Sequence, residues 1–164
     1  MEACDDGNEN NFDACSSNCE LSYCGDGLTR TDHDEGDDGY EACDDGDRRD
    51  DNGCTSSCHL NVCGDGLHWP LQEACDDGNT VETDACLNNC QIARCGDGVV
   101  RLDRERGDDD FEACDDGNLI DEDACTNRCA PGACGDGIIR QDLNEDGEPF
   151  EVCDDGNTEA SDGC

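Results

Sequence analysis

The residues best suited to chemistry are carboxylates and amides that recur in one short stretch, Glu-Ala-Cys-Asp-Asp-Gly-Asn. The stretch first appears at residues 2–8, and later copies begin at Glu41, Glu73, Glu112 and Glu151. Asp47 takes the Asn position of the second copy, and Val152 takes the Ala position of the fifth. Calcium accepts about six to eight oxygen ligands from carboxylates, amides and carbonyls. These repeated side-chain oxygens therefore predict calcium sites, about one in each repeat.

The predicted metal ligands occupy four positions of the repeat. The paired Asp residues are Asp5, Asp6, Asp44, Asp45, Asp76, Asp77, Asp115, Asp116, Asp154 and Asp155. The position two residues later holds Asn8, Asp47, Asn79, Asn118 or Asn157. The position two before the second cysteine holds Asp13, Asn52, Asp84, Asp123 or Asp162. The Asp of Gly-Asp-Gly is Asp26, Asp65, Asp97 or Asp136. Asn and Asp interchange at two positions, which favours ligation by oxygen; the alternative is that turns alone favour Asp, Asn and Gly.

The cysteines follow the same period and are predicted to form disulfides. After the first Cys of a repeat, a second follows eleven residues later, a third four later and a fourth five later. This spacing is a poor match to paired zinc knuckles. Four cysteines allow more than one pairing, and we expect the bonds to stay within spans such as Cys4–Cys24. The predicted disulfide residues are Cys4, Cys15, Cys19, Cys24, Cys43, Cys54, Cys58, Cys63, Cys75, Cys86, Cys90, Cys95, Cys114, Cys125, Cys129, Cys134, Cys153 and Cys164.

The composition excludes an apolar core as the source of stability. Leu, Ile, Val and Phe make up about 13% of the residues, and the formal net charge is −37. Chains of this kind stay disordered unless something other than apolar burial orders them. Disulfides supply that order and require an oxidising compartment. The negative charge argues against nucleic acid as a partner, and no apolar run is long enough to span a membrane.

The period divides the chain into five predicted repeats, residues 1–39, 40–71, 72–110, 111–149 and a partial repeat at 150–164. Within the first repeat, residues 16–19 are predicted to form one helical turn. Residues 28–30 and 40–41 are predicted to pair as a short hairpin, with Arg30 facing Glu41. The Asp142–Gly147 stretch matches the start of an EF-hand loop, but Cys153 stands where the final Glu belongs. We interpret that stretch as a solvated acidic loop tip. The predicted fold class is a small disulfide-rich tandem array, extended and mostly irregular, with short β-hairpins and isolated helical turns.

The pattern C-G-D-G, E-x-C-D-D-G-N and D-x-C-x3-C resembles the Myxococcus cysteine-rich repeat family over nearly the whole chain. This resemblance implies an exported, disulfide-bonded repeat region and no particular reaction. The repeats also resemble, more loosely, Notch-type calcium modules. Those modules have six cysteines where this repeat has four, so their ligand assignments do not carry over.

The predicted function is a non-enzymatic extracellular or cell-surface structural protein that forms a stalk, an adhesive segment or a fibre. No catalytic motif is present. The predicted partners are neighbouring copies or flanking repeats, end to end, and O-linked sugars on Ser or Thr stay open. The alternatives are an accessory ligand-binding ectodomain module and a soluble calcium buffer. Because Met1 is followed directly by repeat sequence without a signal peptide, we expect this chain to be the interior of a longer precursor.

Overall fold

The computed structural model describes residues 2–159, and in this range the chain forms neither a helix nor a continuous strand. Its regular pairing consists of isolated bridges, most of them antiparallel, such as Cys15–Leu21, Cys54–Leu60, Cys86–Ile92 and Cys125–Pro131. Most turns contain a glycine with positive φ, a conformation that glycine adopts without a steric penalty. The predicted irregular, disulfide-rich fold is therefore confirmed, while the extended shape of the array stays a prediction.

Each of these bridges closes a narrow turn that ends on the third cysteine of a repeat. In the first repeat Ser16 N–H donates to the Glu20 carbonyl, and Cys19 N–H donates to the Ser16 carbonyl. Cys19 has a φ of 62°, which an α-helix does not permit. The predicted helical turn at residues 16–19 is therefore wrong: the segment is a β-turn, because its last residue takes the left-handed conformation.

The disulfides fall into two classes. Short bonds join the first and second cysteines of a repeat, as in Cys4–Cys15, Cys43–Cys54 and Cys114–Cys125, with a sequence separation of 11. Long bonds join the fourth cysteine of one repeat to the third cysteine of the next, as in Cys24–Cys58, Cys63–Cys90 and Cys95–Cys129. The prediction that bonds stay within spans such as Cys4–Cys24 is therefore wrong, because the long bonds link neighbouring repeats; none of these six bonds links distant repeats, as was also predicted.

Two cysteines that were predicted to be bonded carry free thiols, Cys19 and Cys134. Cys19 is the third cysteine of its repeat and Cys134 the fourth of its own, so each belongs to the class that bonds to a neighbouring repeat. Among the described residues, neither has a disulfide partner. Cys75, Cys86 and Cys153 are disulfide-bonded, and Cys164 lies outside the described residues.

The most buried hydrophobic side chains are mainly the disulfide sulfurs. Cys58, Cys90 and Cys129 are at most 2% exposed, and Leu87 and Ala93 are the other hydrophobic residues that are buried in the described range. Large apolar side chains such as Leu21, Leu60 and Ile92 remain more than half exposed. Packing is thus centred on disulfides, as the low apolar content requires.

The chain divides into two compact units, one formed by Met1–Thr80 with Asn88–Gln91 and the other by Val81–Leu87 with Ile92–Cys164. The first unit contains the nested pair Cys24–Cys58 and Cys43–Cys54, together with Cys63–Cys90. The second contains the nested pair Cys95–Cys129 and Cys114–Cys125. Within residues 2–159 there is no helix that could cross a membrane.

Candidate functional site

The most elaborate site of the molecule is a carboxylate enclosed by backbone N–H groups, which we call the cradle. In the first compact unit, one oxygen of Asp44 accepts the N–H of Gly25 at 2.6 Å and that of Asp26 at 3.1 Å. The other oxygen accepts the N–H of Gly27 at 2.7 Å and that of Gly46 at 2.8 Å. The Cys-Gly-Asp-Gly turn of one repeat therefore holds the first Asp of the next repeat.

The same cradle recurs wherever a Cys-Gly-Asp-Gly turn precedes an Asp-Asp pair. Asp76 accepts from Gly64, Gly66 and Gly78 at 2.6–2.8 Å. Asp115 accepts the N–H groups of Gly96, Gly98 and Gly117 at 2.6–2.8 Å. Asp154 does the same at 2.6–2.8 Å, with Gly135, Gly137 and Gly156 as donors. Asp44, Asp76, Asp115 and Asp154 thus each accept amides of two repeats.

The cradle requires glycine at the position that follows the fourth cysteine. Gly25 has a φ of +93°, and a Cβ placed there would lie 2.6 Å from the Asp47 carbonyl oxygen and 2.8 Å from Cγ of Arg48. The side chain of Arg48 also donates its Nε–H to the Cys24 carbonyl at 3.0 Å. The Cys-Gly-Asp-Gly turn and the Asp-Asp-Gly turn therefore approach each other too closely for any side chain at this position.

The cradle also sets the protonation state of its carboxylate. Burial is the largest influence on the pKa of Asp44 and would raise it, but the N–H groups of Gly46, Gly27, Gly25 and Asp26 together hold the pKa below its usual value. The pKa of Asp76 is lowered by the same balance. For Asp154, the N–H of Gly156 is the largest single influence on a lowered pKa. Since donated hydrogen bonds favour the ionised form, these groups are carboxylates at neutral pH.

The Asp within Gly-Asp-Gly braces its own turn. One oxygen of Asp26 accepts the N–H of Tyr23 at 3.0 Å, and the other accepts the N–H of Leu28 at 2.9 Å. Asp65, Asp97 and Asp136 accept the corresponding pairs of amides at 2.8–2.9 Å. This is the turn chemistry that the sequence offered as the alternative to metal ligation.

Glu41, Glu73 and Glu112, which open the later Glu-Ala-Cys stretches, bind main-chain N–H groups, a role that the sequence reasoning missed. Glu41 and Glu112 are 6% and 4% exposed and accept the main-chain N–H of Arg30 and Arg101, both at 2.9 Å. Burial, the largest influence, raises the pKa of both carboxyls. In the shortened repeat Glu73 accepts the N–H of Trp69 at 2.8 Å. The signal in the sequence that could have indicated this role is that the Glu always stands three residues before the first Asp of the Asp-Asp-Gly turn.

The predicted hairpin between Arg30 and Glu41 is therefore wrong in its pairing. The Arg30 guanidinium instead donates hydrogen bonds of 3.0 and 2.8 Å to Asp32, while the Arg30 main-chain N–H donates to Glu41. A carboxylate two residues away reaches the guanidinium fork in a bidentate geometry, which leaves Glu41 for the backbone. The Asp32 bond, as the largest influence, raises the pKa of Arg30, and the Arg30 bond lowers that of Asp32.

The two positions where Asn and Asp interchange contact each other. Asn8 donates its side-chain N–H to Asp13 at 3.0 Å, and Asn118 donates to Asp123 at 3.1 Å. In the second repeat the types are reversed, and Asn52 donates to Asp47 at 3.4 Å. Each of these pairs keeps one amide and one carboxylate. A hydrogen bond between the two positions thus explains the interchange.

The second Asp of each pair accepts a single backbone N–H. Asp6 accepts the N–H of Asn8 at 3.1 Å. It also lies within side-chain hydrogen-bonding reach of Asp13, whose pKa is lowered mainly by Asn8. Asp45, Asp77, Asp116 and Asp155 each accept one N–H at 3.3 Å. Asp162 lies outside the described residues.

Groups of potential metal ligands are present among the described residues, but their sulfurs already form disulfides. Glu73, Asp76 and Cys90 lie together, and Cys90 is bonded to Cys63. Two further groups have two sulfurs and one carboxylate each: Cys24, Asp44 and Cys58, and Cys95, Asp115 and Cys129. In both groups the cysteines are joined to each other as disulfides, and thiolates rather than disulfide sulfurs are the cysteine ligands of metals. The carboxylate in each group accepts the cradle amides. The Asp142–Gly147 stretch is braced internally, since Asn144 accepts the N–H groups of Asp146 and Glu148.

No protein-family model matches the chain, and no curated protein and no solved structure is similar to it. The resemblance to the Myxococcus repeat family therefore stays a prediction.

Proposed function

We propose that this chain is a non-enzymatic structural segment of an extracellular or cell-surface protein, in which side-chain and disulfide joints link each repeat to the next. The observation that carries the proposal is the long disulfide from the fourth cysteine of one repeat to the third of the next, seen at Cys24–Cys58, Cys63–Cys90 and Cys95–Cys129. Disulfides of this density indicate an oxidising environment.

Three interactions coincide at each joint and support a mechanical role. The long disulfide crosses the joint, the cradle binds the next repeat's Asp, and the buried Glu accepts a main-chain N–H from the preceding repeat. At the first joint these are Cys24–Cys58, Asp44 and Glu41. A carboxylate that receives several N–H groups is held by charge-assisted bonds, which are stronger than neutral ones. The joint therefore resists separation without an apolar interface.

The negative charge of the chain fits a segment that does not associate side by side with other copies. A formal net charge of −37 over 164 residues opposes lateral association in salt solution, over distances of about a Debye length of 8 Å. End-to-end contact through the joints needs no lateral surface. We therefore propose neighbouring copies or flanking repeats as the partners, in a stalk or fibre.

We propose calcium binding only at carboxylates that are not enclosed by backbone amides. Asp6 with Asp13, and Asp116 with Asp123, are carboxylate pairs within side-chain reach, and a divalent cation relieves repulsion between such groups. We propose weak sites there, with dissociation constants on the order of 10⁻⁴–10⁻³ M. Titration of Asp13→Asn and Asp26→Asn chains separates these positions, because only the first variant should lose the heat of one of the two sites.

The mechanical proposal is tested by stretching single oxidised chains and then adding a reductant. The long bond Cys24–Cys58 closes 34 residue steps, and the short bond Cys43–Cys54 within it closes 11. Reduction of the long bond should lengthen the chain by roughly 80 Å, and reduction of the short bond by roughly a further 30 Å. An oxidised chain that reaches its full contour length before reductant is added would overturn the proposal.

A further inference from the structure

The first compact unit contains a cavity of about 440 Å³ beside the Cys24–Cys58 bond, which we call the aromatic cavity. This volume falls within the range of about 300–1,000 Å³ that is usual for small-ligand sites. The lining combines aromatic with acidic residues, namely Tyr23, Tyr40, Asp37, Asp38 and Glu41. Neither the joints nor the proposed calcium sites account for this combination.

Glu41 brings a buried carboxylate to the aromatic cavity. Its residue is 6% exposed, and one of its oxygens accepts the main-chain N–H of Arg30 at 2.9 Å. Its second oxygen has no hydrogen-bond donor among the described residues. The Arg30 guanidinium, which also lines the cavity, is already bonded to Asp32 at 3.0 and 2.8 Å. Because buried charges are normally paired, the second oxygen of Glu41 points to a cationic ligand.

An equivalent cavity in the second compact unit shows which cation fits beside such a carboxylate. This cavity of about 380 Å³ is lined by Asp108, Asp109, Phe111, Glu112 and Arg128, among others. Glu112 is 4% exposed and accepts the N–H of Arg101 at 2.9 Å, as Glu41 accepts that of Arg30. Arg128 precedes the third cysteine of its repeat, where the first cavity has Ser57. The second cavity therefore has an arginine of the same chain in its lining at the place where the first has a serine.

The aromatic rings of the first cavity also suit a guanidinium group. Tyr23 is 55% exposed, and the guanidinium of Arg48 already lies 5.2 Å from its ring centroid. Guanidinium groups stack on aromatic faces and bind carboxylates through two parallel hydrogen bonds. In the second unit Arg94 stands in the place of Tyr23. The first cavity thus has an aromatic ring where the second unit carries a further positive charge.

We propose that the aromatic cavity binds the guanidinium group of an arginine side chain from a partner protein. Glu41 is its ion-pair partner, and Tyr23 and Tyr40 provide the stacking surfaces. Asp37 and Asp38 are exposed and attract the basic segment that carries the arginine, as does the net charge of −37. This inference goes beyond the proposed structural function, because it assigns a binding partner to one compact unit.

The experiment titrates the full-length oxidised chain with the blocked peptide acetyl-Gly-Arg-Gly-amide, at a salt concentration of about 0.15 M to screen unspecific attraction. Amide chemical shifts in NMR spectra report the binding. We expect saturable shifts at Gly39, Tyr40 and Glu41 with one common dissociation constant, and none at Phe111 of the second unit. The same peptide with citrulline in place of arginine keeps the shape without the charge, and should bind at least about tenfold more weakly.

Three substitutions in the first unit locate the site. Glu41→Gln keeps an oxygen for the Arg30 N–H but removes the charge, and should weaken the binding of the arginine peptide at least about tenfold. Ser57→Arg introduces the arginine of the second cavity and should have an effect of the same size, since it competes with the peptide. Ser56→Arg is the matched control, because it adds the same charge at an exposed residue that does not line the cavity. It should change the dissociation constant by less than about threefold.

The reverse change should create a second site. The double variant Arg94→Tyr and Arg128→Ser gives the second cavity the residues of the first at both positions. Saturable shifts should then appear at Phe111 with the arginine peptide, because the chain no longer supplies its own cations there.

Several results would overturn the inference. Equal binding of the arginine and citrulline peptides would do so, as would shifts spread evenly over the acidic turns of both units. Equal effects of Ser57→Arg and Ser56→Arg, or no new shifts in the double variant, would also contradict it. Unchanged amide protection of Thr55 and Cys58 identifies the folded variants, and Ser57→Arg decides the outcome if Glu41→Gln unfolds. Because stretching of the oxidised chain does not involve this cavity, the proposed structural function is tested separately.

Discussion

Asp44→Asn is the substitution that most directly tests the cradle. The asparagine keeps one oxygen, which can retain Gly27 and Gly46 as donors, but its NH2 group then faces the N–H groups of Gly25 and Asp26. Unsatisfied buried donors cost about 1–3 kcal/mol each, and bonds to a charged acceptor exceed neutral ones by about 1 kcal/mol. Because Asp44 is partly exposed and Asp26 N–H also has the Tyr23 carbonyl, we take the lower values and expect a loss of about 3 kcal/mol.

The loss should appear as faster opening of the Cys24–Cys58 loop, measured by native-state amide hydrogen exchange with the disulfides intact. The N–H groups of Thr55 and Cys58 are suitable reporters, since they donate to the His59 and Thr55 carbonyls and not to Asp44, although the Cys58 sulfur lies 3.8 Å from Asp44. Their protection factors should fall by about 100-fold, since 1.4 kcal/mol corresponds to a factor of ten. The matching amides of Thr126 and Cys129 serve as an internal control and should not change.

Asp45→Asn is the matched control variant. The Asp45 side chain is exposed and accepts one N–H at 3.3 Å, so the expected change is within about 0.5 kcal/mol. The cradle reasoning is refuted if both variants change the protection of Thr55 and Cys58 equally, or if Asp44→Asn changes it by less than about threefold.

Three further predictions follow from the same contacts. Because the folded pKa of Asp44 is lowered, the stabilisation that this carboxylate provides is fully present above the unfolded pKa of about 3.9 and is lost as pH falls through the folded pKa. The difference in Thr55 protection between wild type and Asp44→Asn should therefore shrink below about pH 4. A difference that stays constant with pH would contradict this. In denaturant unfolding, Gly25→Ala should destabilise the joint by at least about 2 kcal/mol more than Gly36→Ala. Both glycines have φ near +100°, but only a Cβ at Gly25 would meet a backbone atom, at 2.6 Å. Equal losses of stability would contradict the close approach at Gly25. Asp47→Asn and Asn52→Asp should each destabilise their hydrogen-bonded pair by about 0.5–1 kcal/mol while the double variant recovers most of the loss, and additive losses in this double-mutant cycle would rule the pair out.

Several features of this protein follow from its sequence alone. An apolar content of about 13% with a net charge of −37 excludes a hydrophobic core, and the cysteine density predicts disulfides in its place. Gly-Asp-Gly and Asp-Asp-Gly predict tight turns because glycine accepts positive φ. These local properties depend on near neighbours in the chain, so sequence reasoning reached the irregular, disulfide-rich fold.

The tertiary structure decided which distant groups meet. Repeat spacing is the same whether Cys24 bonds within its own repeat or to Cys58, so the period could not distinguish the two pairings. Asp44 looks equivalent to Asp45 in the sequence, but only Asp44 is enclosed by amides from a turn almost twenty residues earlier. The roles of Glu41 and of the Asp47–Asn52 pair likewise depend on backbone positions that spacing does not specify. Hydrogen bonds between separate turns require that the turns lie close together in space. The repeat in the sequence shows that a residue recurs at a fixed spacing, but it does not show which backbone group that residue contacts.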